Sequence, residues 1–514
     1  MTATSTAAPS SSDLDRLKIL ARRIRRYSIL ATTRAGSGHP SSSLSAADLM
    51  TALYFSEGGL RYDFSEPKRL DNDRFVLSKG HAAPVLYATW AAAGLISEAD
   101  LLSLRQIDSI YEGHPTPRIP WIDVATGSLG QGLPNAVGMA ILLKRLGKGN
   151  GAGDARVFVL CGDGELAEGS NWEAAPVASE QELGHLIAIV DVNRLGQSAP
   201  TRVQHDLGRY AQMFTACGWE TMIIDGNDLK ACTLAIANCG VEGRRNAKKP
   251  LVILARTQKG AGVSFIADQD NWHGKPLDEE QAKKALAELG EDDKSVRGEV
   301  AKPKGSSVHV PVPKEFPAMT AHFPSNKPLA TRRAFGDALK RLGDVHPGVF
   351  VFDADVKNST YTEIFEKAHP DHFVESFIAE QAMIGMAAGA GAIGAVPWAA
   401  TFAAFLTRAY DQIRMAALSS SNLNLCGSHA GTHIGEDGAS QMGLEDLAMM
   451  RAVHGSTVVY PADAYATESL VRTLSQKSGV AYLRTTRAAT PILYSEKDEF
   501  PLGGSKTLRH SDGD

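Results

Sequence analysis

The chain has 514 residues and a formal net charge of −5, from 53 basic and 58 acidic side chains. This length is too great for one hydrophobic core, so we expect two or three domains. The charge argues against a nucleic-acid or anionic-membrane partner, since both attract clustered positive charge. No apolar run approaches the roughly 18 residues that a membrane-spanning helix needs. The five cysteines match neither a disulfide framework nor a zinc site, which predicts reduced thiols in a cytoplasmic protein.

Residues 1–12 are rich in Ala, Ser and Thr and are predicted to form a disordered tail. Ser12 is the expected cap of the first helix. A first block, residues 13–300, contains short apolar runs that end in polar or glycine turns. These runs lie at residues 157–161, 186–192 and 251–255. They are typical of buried parallel strands, so the block is predicted to be an α/β domain with a mainly parallel sheet flanked by helices.

Six prolines interrupt regular structure between residues 300 and 328, so residues 301–328 are predicted to be a Pro-rich linker. Residues 329–500 form a second predicted α/β domain of the same kind, with a helix at 408–418. Its predicted strands lie at residues 349–352, 373–377, 396–399, 423–426, 457–460 and 481–484. The polar residues 501–514 are expected to begin a further linker.

The first apolar run leads into Gly162-Asp163-Gly164, and Asn193 follows the second run. The 28 residues between Gly164 and Asn193 fit one βαβ unit, whose strands end at the same edge of the sheet. The glycines let backbone amides approach a phosphate, and Asp163 and Asn193 offer the oxygens that Mg²⁺ prefers. With the Leu195 carbonyl as a third ligand, the segment predicts a site for Mg²⁺ and a diphosphate. The alternative interpretation is an ordinary turn with an Asp and a distant Asn.

Further motifs occur in a fixed order along the chain. In the first block they are Ser37-Gly38-His39-Pro40, Ser78-Lys79-Gly80-His81-Ala82, Glu112-Gly113-His114-Pro115, Gly127-Ser128-Leu129-Gly130-Gln131-Gly132 and Trp272-His273-Gly274-Lys275-Pro276. In the second block they are Ile378-Ala379-Glu380-Gln381, Thr401-Phe402-Ala403-Ala404-Phe405, Gly427-Ser428-His429, Gly435-Glu436-Asp437-Gly438 and Arg484-Thr485-Thr486-Arg487.

With these motifs the chain resembles the transketolases, which depend on thiamine diphosphate, and it is most similar to their shorter, vertebrate-like branch. The resemblance covers nearly the whole chain after the tail. It implies a diphosphate-binding domain at 13–300 and a pyrimidine-binding domain at 329–500. The third, C-terminal domain that family members usually carry is expected to be absent. A truncated chain and a separate or dispensable domain both stay open as explanations.

The resemblance also implies which residues bind the cofactor and its metal. The diphosphate side comprises Gly127, Leu129, Gly162, Asp163, Gly164, Asn193, Gln197 and Lys259. Mg²⁺, which Ca²⁺ or Mn²⁺ could replace, would be held by Asp163, Asn193 and Leu195. Phe405 would stack on the aminopyrimidine, with Phe402 beside it. Glu380 would hydrogen-bond the aminopyrimidine ring, so that the cofactor's own amino group forms the reactive carbanion at C2. Outside this motif, a favourable helix N-terminal glutamate would be the simpler interpretation.

Four histidines match positions that surround the substrate's hydroxyls and carbonyl in the family. They are His39, His81, His114 and His273, which with Glu380 are the expected catalytic residues. Imidazole ordinarily titrates in a range that suits proton transfer. The substrate-binding residues implied by the resemblance are His39, His273, Arg332, Ser359, His429, Asp437, Gln441 and Arg487. Two arginines suit a phosphate clamp, although each alone could equally form a surface salt bridge.

The implied activity is reversible transfer of a two-carbon ketol group from a ketose phosphate to an aldose phosphate, in the pentose phosphate pathway. Xylulose 5-phosphate is the expected donor, with ribose 5-phosphate or erythrose 4-phosphate as acceptor. The family works as a homodimer with its sites at the subunit interface. Three alternatives stay open: a dihydroxyacetone synthase-like transfer, a 1-deoxyxylulose-phosphate synthase, and an inactive binding subunit. The second fits the histidine set poorly.

Overall fold

The computed structural model describes residues 9–147, 152–240, 244, 246–311, 321–504, 507 and 511. The chain divides into two compact units. Unit 1 comprises Met1–Val310, Gln381–Ala395 and Asp411–Ser421, and unit 2 comprises Pro311–Glu380, Val396–Tyr410 and Asn422–Asp514. The boundaries at 13–300 and 329–500 stay predictions. Most of the predicted tail, residues 312–320 of the linker and most of 505–514 lie outside the described residues.

Unit 1 contains a five-stranded parallel sheet with strand order β1-β2-β3-β5-β4. Its strands are β1 Arg74–Leu77, β2 Val157–Gly162, β3 Leu186–Val192, β4 Glu220–Asp225 and β5 Leu251–Arg256. The apolar runs correctly predicted β2, β3 and β5, which are buried almost throughout. They missed β1, which has four residues, and β4, an edge strand of half-buried and exposed residues with no continuous apolar run.

Helices flank this sheet. The α-helices among the described residues of unit 1 before residue 300 are Ser11–Ala35, Pro40–Phe55, Ala83–Ala92, Glu98–Leu102, Gly132–Leu146, Gly169–Glu180, Leu207–Ala216, Leu229–Asn238 and Glu279–Leu289. The first helix is capped by Ser10, whose side chain accepts the Asp13 amide. The prediction of Ser12 as the cap is therefore wrong, because Ser12 lies within the first turn. The helix Gly169–Glu180 connects β2 to β3, as the βαβ spacing predicts.

Glycines allow two helical segments of unit 1 to pack backbone against backbone. A Cβ atom at Gly138 would lie 1.9 Å from the Met386 carbonyl oxygen, and one at Gly389 would lie 2.0 Å from the Asn135 carbonyl oxygen. Real Cβ atoms cannot approach so closely. Small residues therefore hold the segment 381–395, which comes from the C-terminal half of the sequence, against the helix Gly132–Leu146.

Unit 2 contains a six-stranded parallel sheet with order β11-β12-β10-β9-β7-β8, and a two-stranded antiparallel ribbon of β13 and β6. The strands are β6 Leu329–Ala330, β7 Val349–Asp353, β8 Phe373–Glu375, β9 Val396–Phe402, β10 Leu423–Ser428, β11 Thr457–Val459, β12 Val480–Arg484 and β13 Ala489–Thr490. All six predicted strands are present. β8 ends two residues early because the chain turns at Phe377, where φ is +57°.

The helices of the C-terminal half are Thr331–Val345, Lys357–Thr360, Glu363–Ala368, Glu380–Ala392, Tyr410–Leu418, Asp446–Arg451 and Ala464–Ser475. The helix predicted at 408–418 begins at Tyr410, after the 3-10 segment Phe405–Ala409. Other 3-10 segments are Gly80–Ala82, Ala152–Asp154, Gly164–Ala167, Pro370–His372, Gly431–Asp437 and Ala439–Gln441. These elements confirm the predicted fold class, two α/β domains with mainly parallel sheets flanked by helices. Among the described residues, no helix is both long and apolar enough to cross a membrane.

Candidate functional site

The sequence motifs of unit 1 follow the carboxyl ends of its parallel strands. Ser78 and Lys79 follow β1, Asp163 follows β2, Asn193 follows β3, and Lys259 lies three residues after β5. Parallel strands bring all of these ends to one edge of the sheet, where α/β proteins commonly bind ligands. The spacing argument for Asp163 and Asn193 is therefore correct in its structural premise.

Asp163, Asn193 and Leu195 are brought together by one turn. The Arg194 amide donates to the Asp163 carboxylate over 3.0 Å, and the Leu195 amide donates to Asn193 Oδ1 over 3.3 Å. Arg194 has φ of +64°, so the chain reverses direction here. The Thr201 hydroxyl also donates to Asp163, over 2.7 Å. Gln197 is exposed on the loop between Leu195 and Pro200, which form an isolated bridge.

The residues of this turn fit a hard divalent cation. Asp163 and Asn193 are both 4% exposed, and burial raises the pKa of Asp163 to about 6. A buried carboxylate beside a second one, Asp191, is stabilised in its charged form by a cation. The available donors are carboxylate, amide and carbonyl oxygens, the set that suits Mg²⁺, Ca²⁺ or Mn²⁺. The Leu195 carbonyl, the third predicted ligand, accepts from Lys259 Nζ over 2.7 Å.

Three of the four predicted histidines form a compact cluster in unit 1, and the fourth lies beside it. The ring centroids of His39, His81 and His273 lie 5.0–5.2 Å apart, and the His114 ring lies 6.4 Å from that of His39. The Nδ1 atom of His39 is buried and has no hydrogen-bond partner among the described residues. Gly127, at φ of +125°, permits the close approach to His114, since a Cβ there would lie 2.7 Å from the imidazole ring. An unpaired ring nitrogen in such a cluster is suited to a polar ligand.

All four imidazoles have lowered pKa values. Burial is the first cause in each case, and it lowers the pKa of His39 to about 4 and that of His273 to about 3. Burial also lowers the pKa of His81, well below its usual value, and that of His114. The expectation that these rings titrate near neutrality is therefore wrong. They are neutral at pH 7 and can each accept one hydrogen bond and donate another.

Lys259 is part of the same cluster. Its ammonium nitrogen lies 2.7 Å from His273 Nδ1, and burial with the nearby charge of Lys79 lowers its pKa to about 8. Lys79 itself forms a short, fully buried ion pair with Asp191. Asp191 also accepts from the hydroxyls of Ser45 and Thr257. Lys259 thus places positive charge beside the predicted diphosphate site, while the charge of Lys79 is paired with Asp191.

Sequence reasoning assigned no role to three residues that border this cluster. Arg105 contributes to the lowered pKa of His39 and His114, and it bonds the Ser37 hydroxyl over 2.8 Å. Asp191 is the only carboxylate in the apolar strand β3. That unusual position in the sequence is the one feature that could have indicated a functional role for Asp191. Glu165 is 2% exposed and directly follows the Gly162-Asp163-Gly164 motif. A charged side chain in a run that predicts burial indicates a specific partner.

The predicted cofactor loop at 127–132 lies against the turns after β1 and β2. Gly127 and Leu129 are half-buried in it, and Gly130 has φ of +82°. The Gly130 amide donates to Glu165 over 2.9 Å, and the Gly162 amide donates to the same carboxylate over 3.1 Å. The sequence-predicted glycines of two motifs therefore meet at one side chain. No contact of Leu129 identifies its role.

In unit 2, Glu380 begins a helix after β8 and is 6% exposed. Of its sequence neighbours, Phe377 and Ile378 are 48% and 78% exposed, so the predicted apolar surroundings are only partly formed by the chain itself. Arg408 Nε lies 3.9 Å from Glu380 Oε2. Large exposed apolar side chains beside a buried carboxyl group are typical of a surface that a partner covers.

The predicted aromatic pair of unit 2 is part of a three-ring stack. Phe402 lies parallel to Phe405, with ring centroids 5.3 Å apart and planes 7° apart. His429 stacks on Phe402 at 4.1 Å. Phe405 and Phe402 thus form one flat apolar wall that begins at the carboxyl end of β9. Such a wall suits a flat heterocycle.

Two predicted phosphate-binding arginines, Arg332 and Arg487, form a positively charged group in unit 2 beside the neutral ring of His429. Burial, then Arg332 and Arg487, lowers the pKa of His429 to about 4. Arg332 donates to the Ser359 carbonyl over 2.7 Å and to the Arg487 carbonyl over 3.3 Å. Arg487 in turn donates to the Ile434 carbonyl over 2.5 Å. Two guanidinium groups converging beside a buried imidazole suit a phosphate dianion.

Two acidic side chains border this positive group. Glu436 Oε1 lies 3.1 Å from Arg487 Nη2, and Asp437 Oδ2 lies 3.8 Å from Arg487 Nη1. Both carboxylates are exposed, and Gln441 is half-buried at the end of the same loop. The structure thus brings Asp437 to Arg487, while no side-chain contact among the described residues joins Gln441 to the group.

Comparison with known proteins identifies the fold and the motifs together. Residues 17–309 match the family model of the transketolase thiamine diphosphate binding domain, and residues 327–492 match that of the transketolase pyrimidine binding domain. The chain belongs to the transketolase family. As a member of this family, the chain is a transferase and functions as a transketolase. Membership also supports thiamine diphosphate as its cofactor.

Individual members of the transketolase family agree with this. The chain is 46% identical to transketolase of Homo sapiens over 509 residues, which is 98% of this chain and 80% of that protein. It is also 46% identical to transketolase-like protein 2 of Bos taurus, over 97% of this chain and 78% of that protein. Transketolase from Campylobacter jejuni superposes with a TM-score of 0.82 at 26% identity, over 94% of this chain and 80% of that chain.

A transketolase from Pichia stipitis, solved in complex with sedoheptulose 7-phosphate, superposes with a TM-score of 0.82 at 25% identity. This match covers 95% of the chain and 79% of the other structure.

Proposed function

We propose that this transketolase transfers a two-carbon ketol group reversibly from a ketose phosphate to an aldose phosphate. The observation that carries the substrate class is the positive group of Arg332 and Arg487 beside the neutral ring of His429 in unit 2. Two guanidinium groups that lie close to one buried imidazole can donate charge-assisted hydrogen bonds to a phosphate. The Pichia stipitis relative was solved with a sugar phosphate, which supports the same class. Xylulose 5-phosphate as donor, and ribose 5-phosphate or erythrose 4-phosphate as acceptor, are the proposed substrates in the pentose phosphate pathway.

The proposed cofactor is thiamine diphosphate, held through Mg²⁺. Asp163, Asn193 and the Leu195 carbonyl would ligate the ion, and Gly127, Leu129, Gly162, Gly164, Gln197 and Lys259 would surround the diphosphate. Ca²⁺ or Mn²⁺ would suit the same oxygen donors. When bound, thiamine diphosphate supplies a nucleophilic carbon that can carry a ketol unit. Glu380 would hydrogen-bond the aminopyrimidine, against the wall of Phe402 and Phe405.

The histidines of unit 1 are proposed to handle the sugar's hydroxyl and carbonyl oxygens. Their lowered pKa values make His39, His81, His114 and His273 neutral at pH 7, so each ring has one nitrogen that accepts a hydrogen bond and one N–H group that donates. His39 has an unpaired buried nitrogen available for this purpose. His429, Ser359 and the two arginines would fix the phosphate, and Asp437 with Gln441 would contact a substrate hydroxyl.

We further propose that the chain works as a homodimer in which each site uses both subunits. The half-exposed Phe377 and the exposed Ile378 immediately before Glu380 support this, because they offer an apolar surface next to a cofactor-binding residue. A cytoplasmic location is proposed because all five cysteines are free thiols.

A coupled assay with xylulose 5-phosphate and ribose 5-phosphate, with and without thiamine diphosphate and Mg²⁺, tests the function. We expect activity that needs both additions and that Glu380→Ala abolishes. Glu363→Ala, at a partly exposed helix position of the same unit where the carboxylate pairs with Lys367, should keep it. Activity without cofactor would refute the proposal. Formaldehyde as the acceptor distinguishes a dihydroxyacetone synthase-like enzyme, which would use it in preference to ribose 5-phosphate. An inactive binding subunit would bind the cofactor but show no turnover with either acceptor.

A further inference from the structure

Glu165 is a buried carboxylate on which three loops of unit 1 converge. Its Oε1 atom accepts from the Ser78 hydroxyl over 2.5 Å and from the Gly130 amide over 2.9 Å. Its Oε2 atom accepts from the Gly162 amide over 3.1 Å. Only 2% of the residue is exposed, and it has no place in the chemistry described above.

The three donors belong to three separate motifs. Ser78 begins the turn after β1 that carries Lys79 and His81, Gly130 lies in the loop 127–132, and Gly162 is the last residue of β2, before the turn that carries Asp163. A buried anion with three convergent donors is strongly held, because removing any donor leaves charge unpaired in a low-dielectric region. Through one side chain, the relative positions of all three loops are therefore fixed.

Neighbouring contacts confine the same loops and leave little freedom around Glu165. A Cβ atom at Gly132 would lie 2.3 Å from Ser78 Oγ, so the loop 127–132 packs directly on the serine. The Ser170 hydroxyl donates to the Gly130 carbonyl over 2.6 Å, and Asn171 donates to the Glu165 carbonyl over 2.9 Å. The backbone on both sides of the carboxylate is thus held by the helix Gly169–Glu180.

We infer that Glu165 is the positioning residue that sets the loop 127–132 against the turns at Ser78 and Gly162 before cofactor binds. It acts through those loops and touches no reacting atom. The inference rests on the proposed function in that the loops are taken to hold thiamine diphosphate. It explains why a charged side chain is buried beside the Gly162-Asp163-Gly164 motif without entering the set of oxygen donors.

The geometry makes Glu165→Gln a sharp test. A glutamine side chain has one acceptor oxygen and one NH₂ group. Backbone N–H groups donate to both oxygen positions of Glu165, so one of them would face the NH₂ group. Whichever way the amide turns, its NH₂ group faces either the Gly130 amide or the Gly162 amide. The substitution keeps the shape of the side chain, so it removes an acceptor rather than volume.

We expect Glu165→Gln to weaken binding of thiamine diphosphate at saturating Mg²⁺ by about 10- to 100-fold, as losses of supporting contacts around metal sites do. Cofactor binding is measured by quenching of tryptophan fluorescence. In the cofactor-free protein, amide hydrogen exchange should become faster in 127–132 or at Gly162. The matched control is Asp73→Asn, since Asp73 is also fully buried and bonded to Arg61 and Arg156, but precedes β1 at the opposite edge of the sheet.

Asp73→Asn should lower thermal stability without changing cofactor affinity or exchange in the loop 127–132. Unchanged affinity and exchange in Glu165→Gln would overturn the inference, as would an equal loss of affinity in Asp73→Asn. If Glu165→Gln does not fold, the same two measurements are made on Ser78→Ala. We expect Ser78→Ala to bind the cofactor more weakly and to show faster exchange, and wild-type behaviour in both would overturn the inference. The exchange comparison needs no cofactor, so it tests the inference separately from the proposed function. Failure of the wild-type protein to bind thiamine diphosphate would overturn the proposed function and leave the exchange comparison to decide the inference.

Discussion

The ammonium nitrogen of Lys259 lies 2.7 Å from Nδ1 of His273. An ammonium group can only donate, so Nδ1 is the acceptor and the proton of the neutral ring is on Nε2. With the pKa of Lys259 lowered to about 8, chiefly by burial, the lysine keeps its proton at pH 7. Lys259 therefore fixes His273 as a hydrogen-bond donor toward any oxygen at its Nε2 atom.

This pair predicts an alkaline limb in the pH profile. As pH rises through about 8, Lys259 loses its proton and no longer fixes the ring of His273, so kcat/KM should fall. Lys259→Met should lower kcat/KM at pH 7 by about 100-fold and should lack that limb. Steady-state kinetics from pH 6 to 9.5 measure both effects. Lys284→Met, at an exposed helix position, is the control, and a limb that persists in Lys259→Met would contradict the assignment.

A second prediction concerns the metal. Removing divalent cations with a chelator should release thiamine diphosphate, and Asn193→Ala should raise the Mg²⁺ concentration needed for half-saturation by about 10- to 100-fold. The reason is that Asn193 would supply one of the ligand oxygens, and the backbone amides of Leu195 and Arg194 hold the side chains of Asn193 and Asp163 at the same turn. Fluorescence titration of cofactor at graded Mg²⁺ concentrations measures this. Asp206→Asn, at an exposed helix cap, should behave as wild type. Equal Mg²⁺ requirements in all three proteins would exclude the proposed ligand.

The sequence predicted the positions of the site better than its electrostatics. Asp163 and Asn193 were placed correctly because strand pattern and spacing alone bring strand ends to one sheet edge. The lowered pKa values of His39 and His273 were not predicted, because they arise from burial and from charges distant in sequence. Arg105, which lies 66 residues after His39, is one of those charges. No local pattern around a histidine reports such a neighbour.

For the fold, too, local sequence patterns predicted some features and missed others. Apolar runs located β2, β3 and β5, since each buries nearly every residue. Edge strand β4 was missed because its partly exposed residues do not produce a continuous run. The packing of segment 381–395 in unit 1 also escaped the sequence, because it depends on where Gly138 and Gly389 meet backbone atoms more than 200 residues away.

A third prediction tests the phosphate group. Arg487→Ala should raise KM for xylulose 5-phosphate by about 100-fold, as loss of a charge-assisted contact of about 2–3 kcal/mol does. Xylulose without its phosphate should be affected little, because the arginine would no longer have a partner to bind. Arg333→Ala is the matched control, since Arg333 neighbours Arg332 but pairs with Asp337 at the surface. Comparable losses for the phosphorylated and unphosphorylated sugar would show that Arg487 has another role.

The fourth prediction concerns stability and pH, and His185 offers the cleanest case. It lies outside the proposed site, its ring nitrogen Nε2 lies 3.0 Å from the Ala140 carbonyl, and burial lowers its pKa to about 4. An unfolded histidine titrates near 6.5. Between these values the unfolded chain binds the extra proton, so His185 contributes stability that is present above pH 6.5 and is lost as pH falls toward 4.

The free energy of unfolding should therefore decrease from pH 7 to pH 4.5, with this one group contributing up to about 1.4 kcal/mol per pH unit. Buried acids with raised pKa, such as Asp353 at about 7, act in the opposite direction because they hold protons in the folded state. His185→Gln keeps a donor for the Ala140 carbonyl but cannot take up a proton, so it isolates the histidine. Urea unfolding at half-unit pH intervals should give a shallower acid-side slope for this variant than for wild type. Identical slopes would mean that the ring is protonated as readily in the folded protein as in the unfolded chain.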